Sequence, residues 1–562
     1  MSDPIRPQIP GLMPSGPVPA GLVSRRQMLG AGATLAAGVG LAPLLAACGS
    51  SSPSTASGGS SGTSGGTLTM GISAPPDTLD PGATGLALSL MLSLAIFDPL
   101  VWWLPGEGGQ GSRFVPGLAE SYTVSPDASV YSFKLRKGVT FHDGTKFDAN
   151  AVKATFDHIV DPKTKSLSAI GALGPYQETK VLDPYTAQVV FSAANAAFVN
   201  EMCQLTMAIS SPAALKKYGS GYNQHPVGTG PFVFKQFINN DRVVVTRNPD
   251  YNWAPTPLGS GPAKLSQITF RILPDPSSQA NALTTGEIQI AQNLNPGDVQ
   301  SAVSAGKKKL TALSTGMPYC ILANNAKPPT DELAVRQAIE FSVNTKAIID
   351  TLFKGLYTPA TSVLTPTTQG YNPDQVLYKF DPARAAHLLD GAGWTKSGST
   401  RSRKGQPLEL QFINIANFGF DGISQLMQAQ LAEVGFKTTI TDQAFPAVGT
   451  TYNQGKHNLA DWFYYDVDPY LYNSVFTSKQ IKAGFNWSHY SNPSVDAAIA
   501  KANADPNTES RTQRYEAITL TLAKSATVIP IYNLESIVVT QPNIAGIKFS
   551  SVGQPLFHSA TA

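Results

Sequence analysis

The chain has 562 residues, with 41 Lys and Arg against 38 Asp and Glu, which gives a formal net charge of +3 at pH 7. Nearly balanced charge argues against the basic surface that binding to phosphate backbones requires, so nucleic acid is not an expected partner. The length is sufficient for two or three lobes with buried cores.

Residues 24–48 have the features of a bacterial export signal. The sequence Ser-Arg-Arg-Gln-Met-Leu at 24–29 leads into a stretch rich in Gly, Ala and Leu. A pair of arginines ahead of an apolar segment is typical of twin-arginine signals. The run ends in Leu-Ala-Ala-Cys at 45–48, which resembles a lipobox, so Cys48 is the predicted lipidation site.

The alternative for this segment is a transmembrane helix over residues 29–47. That stretch is barely long enough to span a bilayer, and its Gly and Ala residues are only weakly apolar. Residues 49–66 are almost entirely Ser, Gly, Thr, Pro and Ala, a composition typical of a flexible linker. We therefore expect a body tethered to the outer side of the cytoplasmic membrane, or a periplasmic one, with 1–48 as signal and lipobox and 49–66 as linker.

Signatures of catalysis are weak. The chain contains no HExxH, no CxxC and no GKS or GKT phosphate loop. Residues 106–111 match G-x-G-x-x-G, but Pro105 precedes them and Ser-Arg-Phe-Val-Pro follows, so the strand, turn and helix of a dinucleotide site are missing. The seven histidines show no spacing typical of metal ligands. We expect no enzyme activity, no catalytic residue, no cofactor and no bound metal.

Periodicity predicts an α/β fold. Alternating apolar residues predict early strands at 67–72, 130–135, 187–191 and 242–246, and Asp148 is placed to cap a helix. Later segments alternate between the two element types, which predicts a lobe with a mixed sheet. Predicted helices there cover 277–285, 331–349, 381–389, 421–434, 494–504 and 509–524, and predicted strands cover 287–291, 408–412, 437–441, 528–532 and 536–540.

Cys203 and Cys320 are the remaining cysteines of the chain. Both lie in apolar surroundings, and a body of this size does not need a covalent staple, so two buried thiols are expected. One disulfide between them is the alternative.

Several blocks, taken in order, resemble the family 5 extracellular solute-binding proteins of ABC importers, which include dipeptide-, oligopeptide- and nickel-binding proteins. The most specific block runs from Phe-Val-Pro-Gly-Leu-Ala-Glu-Ser at 114–121 through residues 133–144 to 151–153. Further blocks lie at 228–232, 247–251, 335–339, 381–383, 392–394, 430–435 and 488–493.

The resemblance implies a two-lobed fold of the periplasmic-binding-protein type with mixed sheets and a ligand cleft between the lobes. Residues 67–270 would form the first lobe, residues 271–530 the second, and residues 531–562 would return to the first. The chain would cross between lobes near 270–273 and 529–531, which permits closure about a hinge. Ligand contacts on both lobes would favour the closed form. The implied partners are a small ligand and an ABC permease, and the implied state is a monomer.

The segment 461–469 resembles the cleft strand and loop of the family. In its peptide binders an aspartate here holds the α-ammonium group of the ligand, three residues before an Asp-Pro pair. Tyr465 occupies that position in this chain and Asp466 follows it. Either Asp466 still reaches the ligand or the ammonium anchor is absent. The other residues expected at the ligand are Trp462, Tyr464, Tyr465, Trp102, Tyr319, Asn324, Asn414 and Asn417.

The resemblance implies a substrate-binding lipoprotein that carries a small solute, foremost a short peptide, to an ABC permease. One alternative is a sensory lipoprotein that presents its ligand to a receptor. Others are a binder of a sugar, an opine or a chelated metal, and a lipid-anchored hydrolase, although no nucleophile and base pair is evident.

Overall fold

The computed structural model describes residues 65–105, 112–373, 379–416, 421–482 and 484–562. The described ranges do not include the predicted signal, the predicted lipidation site Cys48, most of the linker, the glycine-rich residues 106–111 or Asn417.

Strands and helices alternate along the whole described chain. The first half contains β1 (Thr67–Ile72), α1 (Ala87–Ile96), β2 (Val101–Pro105), β3 (Ser112–Pro116), β4 (Ala119–Val124), β5 (Val130–Leu135), α2 (Ala149–Val160), α3 (Ala169–Leu173), β6 (Tyr176–Asp183), β7 (Thr186–Phe191), α4 (Phe198–Glu201), α5 (Pro212–Tyr218), β8 (Phe232–Ile238), β9 (Arg242–Arg247), β10 (Gln267–Ile272), α6 (Pro276–Thr285), β11 (Ile290–Gln292), α7 (Pro296–Ser304) and β12 (Lys308–Leu313).

The second half continues the alternation. It contains β13 (Gly316–Ala323), α8 (Leu333–Ser342), α9 (Thr345–Phe353), α10 (Pro382–Gly391), β14 (Thr395–Ser397), β15 (Thr400–Arg403), β16 (Gln406–Pro407), β17 (Glu409–Ile415), α11 (Asp421–Glu433), β18 (Lys437–Gln443), α12 (Phe445–Asn453), β19 (Leu459–Tyr465), α13 (Leu471–Val475), α14 (Pro493–Asn503), α15 (Thr508–Lys524), β20 (Val528–Tyr532), β21 (Glu535–Thr540), β22 (Lys548–Phe549) and β23 (Pro555–Leu556).

Local chemistry accounts for many element ends. The Asp148 carboxylate accepts a hydrogen bond of 2.8 Å from the Asn150 N–H and so caps α2, as predicted. The predicted single helix over 331–349 is instead two helices, because Val343 is extended and Asn344 caps a new helix by accepting from the Ala347 N–H at 3.0 Å. A buried Val343 and a good capping residue together interrupt the helical pattern.

Two sheets define two lobes. The sheet of the first lobe has seven strands in the order β12-β21-β11-β1-β10-β9-β8, and the sheet of the second has five in the order β18-β17-β19-β13-β20. Both are mixed: β1 pairs in parallel with β10 and β11, whereas β13 pairs antiparallel with β19 and β20. A four-stranded sheet, β4-β5-β7-β6, has a separate core that belongs to the first lobe.

The chain passes between the two main sheets twice, after β12 and after β20. Sheet pairing places β11 and β12, which follow the expected boundary at residue 270, in the first lobe. The two crossings lie side by side, since the Ser314 N–H donates to the Leu534 carbonyl at 2.8 Å. The Ser314 carbonyl accepts from the Thr365 and Thr367 hydroxyls at 2.7 and 3.1 Å. Two adjacent crossings held in this way form a hinge.

Candidate functional site

A cavity of about 990 Å³ lies between the lobes. The first lobe contributes residues of α1, β2, the segment 165–172 and the segment that follows α4. The second lobe contributes residues of α9 and the segment 464–470. The charged and large aromatic side chains of the lining include Trp102, Trp103, Lys165, Glu201, Tyr464, Tyr465, Asp466, Tyr470 and Glu535. A large enclosed space with a few polar groups is typical of a ligand site.

The end of β19 carries the second-lobe part of this wall. Gly316 of the neighbouring strand has φ +118°, and a Cβ atom built there would lie 2.0 Å from the Tyr464 carbonyl oxygen. Only glycine allows this close approach of the two backbones. The approach fixes the position of the segment from Tyr464 to Asp466 at the edge of the cavity.

Glu201 and Asp466 face each other across the cavity wall, one from each lobe. Glu201 ends α4 and is 3% exposed; its carboxylate accepts a hydrogen bond from the Gln204 side-chain amide and lies close to the carboxyl group of Asp466. Burial raises the pKa of Asp466 to about 7, and the nearby charge of Asp468 adds to the rise. Burial, followed by the charges of Asp466 and Asp468, raises the pKa of Glu201 well above its ordinary value. The two carboxyl groups therefore hold a proton near neutral pH.

A second network lies directly behind this pair and also joins the lobes. Asp468 is fully buried, and Arg511 of α15 donates two hydrogen bonds of 2.6 Å to its two carboxylate oxygens. Asn200, of the first lobe, donates to Asp468 and also to Gln369 Oε1, at 3.1 Å for the latter. Because Arg511 neutralises Asp468, the acidic character of the cavity arises from Glu201 and Asp466.

Aromatic rings form other parts of the wall. Trp102 and Trp103 lie on β2, and Trp103 packs edge-on against Phe114 with the ring centroids 4.3 Å apart. Tyr464 and Tyr465 face them from the second lobe, so Trp102, Tyr464, Tyr465 and Asp466 are sequence-predicted site residues that the structure brings together around the cavity.

Four other sequence-predicted residues lie elsewhere. Trp462 is fully buried and packs edge-on against Trp487 at 4.1 Å; it lies on the same face of β19 as Tyr464 but two residues farther from the cavity. Tyr319 stacks on Tyr532 at 5.2 Å inside the second lobe.

The two asparagines of this set make hydrogen bonds to backbone and side-chain atoms within the second lobe. Asn324 donates to the His457 carbonyl at 3.0 Å, and Asn414 donates to Ser424 Oγ at 2.6 Å. These four residues are not among the described residues that line the cavity.

No feature of the sequence predicts Glu201 as a site residue. It lies in the segment Asn-Glu-Met-Cys, which carries no motif, and only folding brings it to Asp466. Lys165 is the one cationic side chain among the described residues of the wall, against the carboxylates of Glu201, Asp466 and Glu535. Cys203, beside Glu201, and Cys320 of β13 are both free buried thiols, as expected.

The described residues contain neither a candidate metal site nor a candidate membrane span. They hold no group of three His, Cys, Asp or Glu side chains that could bind a metal ion. No helix in the described ranges is both long and apolar enough to cross a bilayer.

Comparison with solved structures establishes the fold. NikA from Brucella suis in complex with Fe(III)-EDTA superimposes with a TM-score of 0.77 at 24% identity, covering 88% of this chain and 99% of that one. DppA from Helicobacter pylori in complex with the peptide STSA gives a TM-score of 0.69 at 24% identity, covering 88% and 98%. The predicted two-lobed periplasmic-binding fold is confirmed.

Sequence comparison establishes the family. Glutathione-binding proteins GsiB from Escherichia coli and Shigella boydii are 31% identical to this chain over 442 residues, covering 76% of it and 82% of each relative. These relatives are binding proteins and not enzymes. The family described as bacterial extracellular solute-binding proteins, family 5, middle, matches residues 113–483. The chain therefore belongs to the family 5 bacterial extracellular solute-binding proteins.

Proposed function

We propose that this protein captures a short peptide with a free amino terminus and delivers it to the permease of an ABC importer. The observation that carries the proposal is the position of Asp466, which borders a cavity closed by both lobes. Relatives named for glutathione binding and a structural neighbour in complex with a peptide support this ligand class.

Asp466 is the proposed anchor of the ligand's ammonium group. It follows β19 directly, is partly exposed and borders the cavity. A hydrogen bond between an ammonium group and a carboxylate contributes roughly 1.5–3 kcal/mol net. Trp102, Tyr464 and Tyr465 would pack against the apolar parts of the peptide, since aromatic rings bury large areas with few rotatable bonds.

Ligand binding would favour the closed form because the cavity has walls on both lobes. A ligand that contacts both walls binds the closed form better, and that difference in affinity shifts the population towards it. The permease would then distinguish the closed, loaded protein from the open one.

Anchoring at the membrane is part of the proposal and rests on Cys48. Lipidation of that residue by more than one acyl chain would hold the body near the permease, with residues 49–66 as tether. Replacing Cys48 by Ser should move the protein from the membrane fraction to the soluble fraction, whereas Ser51→Ala should not. Membrane retention of the Cys48→Ser protein would contradict the anchor.

The ligand proposal is tested by native mass spectrometry of the purified protein, followed by calorimetry with a library of di- to pentapeptides. We expect a peptide to co-purify, and N-acetylation of that peptide to weaken binding at least tenfold. The Asp466→Asn protein should lose a similar factor. Equal affinity for free and acetylated peptides, or hydrolysis of the bound peptide, would contradict the proposal.

A further inference from the structure

Two carboxyl groups from different lobes lie next to each other in the cavity wall. Glu201 comes from the last turn of α4 in the first lobe, and Asp466 comes from the end of β19 in the second. Both side chains border the cavity, and their carboxyl groups lie close to each other. A carboxyl pair split between two moving bodies exists as a pair only when those bodies are closed.

We propose that Glu201 and Asp466 together hold one cationic group, so that the protein prefers peptides with a single ammonium group and uncharged side chains over acidic peptides. This inference rests on the proposed function and specifies its ligand. Glu201 becomes a specificity-determining residue because it doubles the negative charge that faces the ammonium group. Ligand carboxylates would meet a wall whose described residues offer three carboxylates and one exposed lysine, Lys165.

The surroundings of the pair decide its charge. The titratable and charged groups that face it are Asp468, Arg511, Tyr464, Tyr470 and Cys203. Arg511 and Asp468 cancel each other through their two hydrogen bonds. The Tyr464, Tyr470 and Cys203 side chains are neutral, because burial raises the pKa of each above its ordinary value. A proton therefore takes the place of a counter-ion between Glu201 and Asp466 when no cation is bound.

An ammonium group that enters the pair displaces this proton. Two like charges in a buried site cannot both remain ionised without a cation, whereas an ammonium group satisfies both carboxylates through three donors. Binding is then coupled to release of one proton to the solvent. Below about pH 7 the affinity should fall roughly tenfold per pH unit, because protons compete with the ligand for the same carboxylates.

The same exchange contributes to closure. The ammonium group would contact one carboxylate from each lobe, and only the closed form offers both. The proton that it replaces makes a single hydrogen bond, whereas the cation makes charge-assisted bonds to both sides. The ligand thus binds the closed form better by the strength of these contacts.

Titration calorimetry with the full chain tests the inference. The probes are the tripeptide Leu-Ala-Leu, its N-acetyl form and glutathione, each at pH 6.5 in phosphate and in imidazole buffer. We expect the tripeptide to bind at least tenfold more tightly than glutathione. The difference in apparent enthalpy between the buffers should correspond to release of about one proton.

Variants assign the effect to Glu201. Glu201→Gln should weaken tripeptide binding at least tenfold and abolish proton release, whereas Glu120→Gln, an exposed change on β4, should alter neither. The proton count of the wild-type protein tests the exchange even where the Glu201 variant folds poorly. Tighter binding of glutathione than of the tripeptide, or binding without proton release, would overturn the inference and leave the peptide-binding function standing. Failure of all three peptides to bind would overturn both.

Discussion

Asp468 and Arg511 form a buried pair in which the guanidinium group donates to both carboxylate oxygens at 2.6 Å. The Asp468 side chain is 0% exposed and that of Arg511 is 4% exposed. Asp468 also accepts hydrogen bonds from Asn200 and from the Tyr470 N–H, the latter at 2.6 Å. The pair therefore links α15 of the second lobe to the loop that carries Asp466 and to α4 of the first lobe.

Breaking this pair should destabilise the protein strongly. Arg511→Met leaves the Asp468 carboxylate buried without its cation, a change that costs about 3–5 kcal/mol in other proteins. Lys346→Ala, which removes an exposed pair with Asp350, should cost about 1 kcal/mol or less. Urea unfolding followed by circular dichroism measures both. Equal unfolding midpoints for the two variants would show that the buried pair adds nothing to stability beyond what the exposed pair contributes.

Asn200 should affect closure more than stability. Its amide is a first-lobe donor that reaches Asp468 and Gln369, both of the second lobe, so Asn200→Ala removes contacts made only in the closed form. We expect the ligand-free variant to have a larger radius of gyration in small-angle scattering. Ligand affinity should fall as well, since more free energy is then needed for closure.

The control for this change is Asn252→Ala, at an exposed position of the first lobe. Its scattering profile should match that of the wild-type protein. A profile for Asn200→Ala that is indistinguishable from the control would contradict a role in closure.

Gly316 begins β13 at the hinge, and its replacement by alanine should be costly. The φ of +118° is unfavourable for any L side chain, and the added Cβ would clash with the Tyr464 carbonyl. Backbone strain alone amounts to about 1–3 kcal/mol, and the clash adds to it. Because the change displaces the segment ending in Asp466, ligand affinity should fall together with stability.

Gly297→Ala is the matched control, since Gly297 lies in α7 with no atom within 4 Å of a built Cβ. In a helix this change is neutral or stabilising by up to about 1 kcal/mol. Thermal melting of the two variants should therefore give shifts in opposite directions or a shift for Gly316→Ala alone. Equal shifts would mean that the backbone at 316 relaxes easily.

Periodicity and capping predict most elements of this fold. The strand at 130–135 and the cap at Asp148 depend on neighbouring residues, and both are observed. The break of the long helix at Val343 depends on packing, and the assignment of β11 and β12 to the first lobe depends on pairing with β1 and β21, which lie far away in sequence. Local patterns carry no information on such contacts.

The sequence likewise predicts some residues of the candidate site and not others. The resemblance in 461–469 identifies Asp466 as a cavity residue, but Trp462, which shares a face of β19 with Tyr464, packs against Trp487 in the core of the second lobe. Glu201 can be identified as a site residue only from the folded structure, in which its segment meets that of Asp466, more than two hundred residues away in sequence. A single sequence does not indicate that contact, because neither segment has a pattern that requires the other.

His457 should give the second lobe an acid-sensitive stability. Its Nε2 atom donates to the Trp487 carbonyl at 2.6 Å, and its buried Nδ1 atom has no acceptor within the described part of the chain. Burial lowers the pKa of this imidazole from 6.5 to about 3, and the nearby His489 and Lys327 act in the same direction. The folded protein therefore keeps His457 neutral at a pH where the unfolded chain takes up a proton. Its contribution to stability is complete above pH 6.5 and declines as the pH falls towards 3.

The carboxyl pair works in the opposite direction. Because the pKa values of Asp466 and Glu201 are raised, folding retains a proton that the unfolded chain loses between about pH 4 and 7, so acid stabilises the fold through these groups.

The contribution of His457 is therefore measured as the difference in unfolding free energy between the wild-type protein and His457→Gln, since both contain the carboxyl pair. In His457→Gln the free energy of unfolding should be lower at pH 7.5 and should fall less between pH 6.5 and 4.5 than in the wild type. His225→Gln, an exposed change, should keep the wild-type slope. If the slopes of wild type and His457→Gln coincide, His457 is protonated in the folded protein, and its buried Nδ1 must then reach an acceptor by local rearrangement.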